Sequence, residues 1–128
     1  MSAKSDYLEN AILDHVLGTS ALSSPTVYIS LYTSDPGETD SGTEVSGNGY
    51  ARLTASFGAA NSGSASGPTS VTEFTASGGA WGTVTHFGIH DAASAGNLLY
   101  YGALTAAKTI ADGDTLRFAI NSITITEA

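Results

Sequence analysis

Residues 81–92, WGTVTHFGIHDA, decide how the whole chain is read. His86 and His90 stand four apart beside Asp91, and on a helix that spacing would set two imidazoles over one metal ion. Thr83, Val84, Thr85, Gly88 and Ile89, however, make a poor helix and a good strand. On a strand the two histidines still share a face, but with a rise of about 3.3 Å per residue they lie roughly 13 Å apart. Two ligands of one metal must each come within about 2.1 Å of it. The pair therefore does not chelate, and each histidine is read as packed or hydrogen-bonded. Gly88, between them on the same face, predicts a bulky neighbour across the strand, either Trp81 or a tyrosine.

Outward from this strand the same period recurs. TVYISLY (residues 26–32) alternates Val27, Ile29 and Leu31 with Tyr28, Ser30 and Tyr32, and YARLTASF, TSVTEFT, LLYYGALT and TLRFAINSITIT follow between Gly, Asn, Ser and Asp. No second helical pattern is present to cross over a parallel sheet. The expected fold is therefore mainly β, an antiparallel β-sandwich or jelly-roll-like domain over residues 26–126. In the last segment Ile120 and Ile123 are three apart, which predicts a bulge at Asn121 or Ser122. Two stretches, residues 34–49 and 58–70, read as long loops that are mobile or held by a partner. The first carries Asp35, Glu38, Asp40 and Glu44 without a compensating base.

Ahead of the strands, SDYLENAILDHVLG predicts one N-terminal α-helix over residues 5–17. Asp6 and Glu9 have capping-box spacing, Gly18 suits the left-handed position after the last turn, and Leu8, Ile12 and Val16 form one stripe. That stripe is expected to pack on a sheet of its own subunit, with insertion into a neighbouring subunit as the alternative.

At 128 residues the chain is expected to form a single domain, 1–128. Cysteine is absent, which removes disulfides, thiolate nucleophiles and thiolate metal sites. A net charge of −8 repels phosphate backbones and anionic lipid, so direct nucleic-acid binding is not expected. No apolar run suits membrane insertion, and the start MSAKSDYLEN lacks the core of an export signal. Only 12% of residues are charged, against about 25% in ordinary globular chains. Such a surface suits a β shell that meets protein neighbours.

Chemistry finds little purchase. GSASG (residues 63–67) has the letters of a nucleophile elbow, but Ala65 occupies the nucleophile's place. Glu73 and Asp91 are the only acids in or beside strands and have no marked partner for a glycosidase pair. The acids of DPGETD and of the Asp112, Gly113 and Asp114 turn offer oxygen ligands, yet neither run matches a calcium loop and both are ordinary turn chemistry. No phosphate cradle is present. The chain is therefore expected not to be an enzyme, with no catalytic residue, metal ligand or cofactor assigned. Tyr28, Tyr32, Tyr50, Trp81, Tyr100 and Tyr101, with Asp35, Pro36, Glu38 and Asp40, are the candidate interface residues, because polar-tipped aromatics suit both protein and sugar contacts.

Five blocks carry a resemblance: YLENAILDHVLGT, VYISLYTSDP, GTEVSGNGYARL, WGTVTHFGIHDAASAGNLLYYGAL and GDTLRFAINSITIT. In this order, from Tyr7 to Thr126, they resemble a family of small tailed-bacteriophage virion proteins commonly labelled tail-fibre proteins. The resemblance implies a structural role, with Asp35, Pro36, Gly47, Gly49 and the block from Trp81 to Asp91 as scaffold. A fibre shaft of heptads or repeated β segments is missing. The expected role is therefore a capsid decoration (cement) protein on the virion surface, a homo-oligomer with a trimer preferred, bound to other virion proteins and above all the major capsid protein. The alternative is a tail-fibre or tail-tip protein that binds a host surface glycan.

Overall fold

A computed structural model describes residues 2–127. Its elements follow in the order β1 (Ser2–Lys4), α1 (Asp6–Val16), β2 (Tyr28–Tyr32), β3 (Leu53–Thr54), β4 (Ser64–Gly67), β5 (Thr72–Thr75), β6 (Gly82–His90), β7 (Leu98–Ile110), β8 (Thr115–Phe118) and β9 (Ile123–Thr126). β1, β7, β6, β2 and β3 form one five-stranded sheet in that spatial order, and β4–β9 and β5–β8 form two ribbons. All pairings are antiparallel. The ribbons share one core with the large sheet: Ile29, Leu31, Phe87 and Ile89 of the sheet meet Phe74, Phe118, Ile123 and Ile125 of the ribbons. The fold is thus mainly β with a single N-terminal helix, as the alternation predicts. Each such side chain contributes about 1.5–3 kcal/mol through burial.

The opposite face of the large sheet positions the polar site. Along β2, Ile29 and Leu31 enter the core, yet Ser30 and Tyr32 on the other face are as fully buried. On β6 the companions of that face are His86, Gly88 and His90, since Ser30 pairs with Gly88 and Tyr32 with His86. A Cβ on Gly88 would lie 2.6 Å from Ser30 Oγ and 3.1 Å from the Tyr32 ring. The predicted bulky neighbour is therefore a tyrosine, helped by Ser30 and Leu98.

Three local readings need correction. The cap of α1 is Ser5, not Asp6: Ser5 is extended, its Oγ accepts from Leu8 N at 3.2 Å, and it donates to Leu98 O. That second bond is across the sheet and is invisible to a local capping rule. The stretch 58–70 is not all loop, because it contains β4; its small residues show no hydrophobic alternation, and what makes them a strand is β9, against which Ser64 and Ser66 pair with Thr126 and Thr124. Between β8 and β9 there is a turn and no bulge. Asn121 takes φ 59° and Ser122 N donates to Ala119 O at 3.1 Å, which lets β8 pair with β5 and β9 with β4. Two register shifts lie instead between β6 and β7, one between Val84 and His86 and one between Ile89 and His90. Val84 faces Lys108 but His86 faces Ala103, so Val84 and Phe87, three apart, both reach the core.

α1 packs only by its beginning. Leu8 is 5% exposed, Ala11 and Ile12 are half-buried, and Val16 is 71% exposed, so the predicted stripe leaves the sheet before the last turn. Gly18 has φ 81°, the left-handed ending expected of it.

Candidate functional site

Two groups of side chains stand apart from ordinary packing, one inside and one outside. Inside, the strand alternation puts Ser30, Tyr32 and His90 on one face, and residues 33–45 fold back over them. Val45 N donates to Leu31 O and Thr33 N to Thr43 O, both at 2.9 Å, while Pro36 is buried. The fold-back carries Asp40 to the sheet. Tyr32 Oη donates to Asp40 Oδ1 at 2.6 Å and so has its lone pairs free for His90 Nε2 at 3.2 Å; Ser30 Oγ then donates to His90 Nδ1 at 2.8 Å. This chain places the imidazole proton on Nε2. Asp40 Oδ2 lies 3.6 Å from the same nitrogen.

Serine, histidine and aspartate are thus assembled, an arrangement the linear sequence did not show. Ser30 and His90 are nevertheless both 0% exposed, so no substrate atom can approach Ser30 Oγ. What the group does is satisfy buried polar atoms: among the described residues no buried side-chain nitrogen or oxygen lacks a partner. Burial, helped by the Arg52 charge, pushes the His90 imidazole below its ordinary range against the opposing pull of Asp40 and Glu44.

A second clamp adjoins the first. Arg52 grips Glu44 with two bonds of 2.8 Å and gives its remaining terminal nitrogen to Ala92 O at 3.0 Å and Ala95 O at 2.7 Å. Tyr50 Oη donates to Glu44 at 2.6 Å and accepts from Leu31 N at 3.0 Å. Burial raises the Glu44 carboxyl, but the Arg52 and Tyr50 bonds outweigh it and hold it below the usual carboxylate range. The acid-rich stretch 34–49 carries no base of its own, but Arg52 from just beyond it compensates Glu44, and the stretch is held by partners within the chain. Arg52 was missed because no spacing rule links it to Glu44 or to residues 92–95.

The candidate interface residues divide accordingly. Tyr32, 1% exposed, and Trp81, 8% exposed, are interior and present no surface; Trp81 donates to Asn48 O at 3.0 Å and meets Tyr50 edge-on at 5.6 Å. Tyr50 is held by both its ring and its hydroxyl. Pro36 is interior, Asp35 caps Gly37 N at 2.9 Å, and Asp40 serves Tyr32. Adjacent Tyr100 and Tyr101 part to opposite faces: Tyr100 packs on the core and donates to Glu127, while Tyr101 lies half-exposed near Glu38, Asp35, Asp6 and Glu9. Tyr28 is half-exposed and Glu38 exposed. Asp114 accepts from Ala111 N, the turn chemistry expected of it, while Asp112 accepts from Gly78 N, 34 residues away.

Outside, Asp6, Glu9 and Glu38 bring one carboxylate oxygen each within 4.8 Å of the others. Leu13, Val16 and Leu17 continue the same helix in solvent, 56%, 71% and 75% exposed. Only the fold could reveal the first group, because Glu38 comes from the loop whose carbonyl accepts from Asp6 N at 2.9 Å.

The described residues thus form a mainly β body with a sealed polar interior and an exposed helix end. Residues 3–126 match the family model described as Podophage GP4 fiber I protein gp80. The chain belongs to this phage fibre-type family, as the order of its sequence blocks indicates. No curated protein matches the chain. Among the described residues no helix is long and apolar enough to cross a membrane.

Proposed function

We propose that the chain is a non-enzymatic building block of the virion's fibre apparatus, holding neighbouring subunits by surface burial and carrying out no turnover. The observation that carries this reading is the family match over residues 3–126, to a protein described as a fibre protein. The sealed His90 group agrees with it: its serine, histidine and aspartate are spent on holding residues 33–45 to the sheet. Many copies, as a homo-oligomer such as a trimer, would let modest contacts add up to durable attachment.

Capsid decoration, bound to the major capsid protein, is the second reading. It is favoured by the way the strands of the described residues share one layered core, as suits a plug on a shell better than a rod. A glycan-binding tip draws less support, because Trp81 and Tyr32 are inside and only Tyr28 and Tyr101 of the proposed aromatics keep accessible surface without packing on the core. Cryo-electron microscopy of the particle tests the first two. A few copies at the tail support the fibre role; tens to hundreds at the local symmetry axes of the capsid would replace it with decoration.

A further inference from the structure

Scattered exposed aliphatics are normal, but Leu13, Val16 and Leu17 are i, i+3 and i+4 neighbours and so form one contiguous patch. The inner side of α1 is already used by Leu8 and Ile12, so no rotation within this chain could bury the patch. The same stripe continues toward the helix start through Glu9 and Asp6, and Glu38 joins them there. The exposed face of α1 is therefore acidic at one end and aliphatic at the other.

That order selects the occupant. Of the four basic residues, Lys4 is paired with Glu127 at 2.8 Å and reaches Glu9 only through longer-range attraction, Arg52 is paired with Glu44, and Arg117 on β8 stands opposite Glu73. Lys108 lies opposite Val84, toward the other end of β7 from Leu99, whose carbonyl receives Ser5 N at the helix start. A second copy meeting this face about a two-fold axis would set carboxylates against carboxylates, and in a head-to-tail ring only the scattered Lys108 and Arg117 of a chain with net charge −8 could answer them. A partner with basic side chains beside an apolar contact meets both ends at once. We infer that the exposed stripe of α1 is the docking surface for a different virion subunit, one that presents lysine or arginine next to aliphatic or aromatic residues. The inference rests on the structural role proposed above.

The test uses intact particles. A photo-cross-linking side chain in place of Leu17, with one in place of exposed Thr109 on β7 as control, is expected to link position 17 to a different virion protein at a segment containing Lys or Arg. A link to a second copy of this chain, a link to an acidic segment, or no link from position 17 overturns the inference. In parallel, the pair Leu13→Ser and Leu17→Ser is expected to lower the copies per particle about tenfold, the loss that roughly 1.4 kcal/mol of binding produces, with the melting temperature of the isolated protein unchanged. Glu9→Gln with Glu38→Gln is expected to weaken attachment at low salt and to flatten its salt dependence. Unchanged occupancy in both pairs overturns the inference. If the wild-type chain is missing from purified particles, the structural role itself fails and the docking surface with it; if it is present and position 17 stays unlinked, only the docking surface fails.

Discussion

Around His90, Ser30, Tyr32 and Asp40 form an unbroken hydrogen-bonded chain beneath a folded-back loop, whereas at the end of α1 Leu13, Val16 and Leu17 stand in solvent against nothing. The polar group is inside and the apolar group outside, the reverse of what residue type alone would dictate. The difference teaches that partners decide burial. A buried imidazole is tolerated because Ser30 and Tyr32 saturate both ring nitrogens, and losing either would leave an orphan worth about 1–3 kcal/mol. The aliphatic patch, by contrast, stays mostly exposed and adds little burial to the folded state.

If the interior group and its clamp hold the fold together, breaking them should cost stability. Arg52→Ala is expected to have the largest effect, a loss of about 3 kcal/mol, since Glu44 and the carbonyls of Ala92 and Ala95 lose their partner together; urea unfolding measures it. Gly88→Ala comes next at about 2 kcal/mol, because the added methyl has to displace Ser30, Leu98 or Tyr32, and proton exchange should show residues 33–45 opening. A value near zero would mean that the strand face is slacker than the close approach implies. Tyr32→Phe removes the hydroxyl between His90 and Asp40 and is expected to cost roughly 1–2 kcal/mol.

Acid should act more gently on the same group. The folded imidazole has its pKa lowered, so the unfolded chain binds more protons as pH falls below about 6.5. His90 therefore contributes stability that is present above that pH and lost on acidification toward its folded pKa. Glu44, also lowered, adds a further loss in the acid carboxylate range. The melting temperature should drop between pH 7.5 and 5.5, and His90→Gln should reduce that slope; an equal slope would remove His90 from the account. Smallest of all, Leu17→Ser should change stability by less than about 0.5 kcal/mol, the ordinary range for an exposed position. A larger loss would show the patch to be part of the fold and end the contrast between the two regions.

The loop of residues 34–49 is one case. By length alone it reads as mobile or held by a partner. With Asp40 on Tyr32, Glu44 on Arg52 and Pro36 buried, shortening it should instead unfold the sheet face it covers. The histidine pair illustrates the opposite case. Strand propensity and a rise of about 3.3 Å were enough to separate His86 from His90 as metal ligands, and β6 carries both. Nothing local could say that His90 would find Ser30, sixty residues away.

Whatever depends on neighbours along the chain was legible in the sequence itself. The period of two, the helix with its glycine stop, the absence of thiols and the surplus of acid follow from propensity, periodicity and composition, and they sufficed for a mainly β fold with one N-terminal helix. Which strands pair, where the register slips between Val84 and His86, and which residues of the acid-rich loop turn inward were decided only in three dimensions. A shift of one residue reverses every face of a strand, and the groups that meet at His90 and Arg52 come from elements far apart in sequence. Their contacts exist only once the whole sheet has formed.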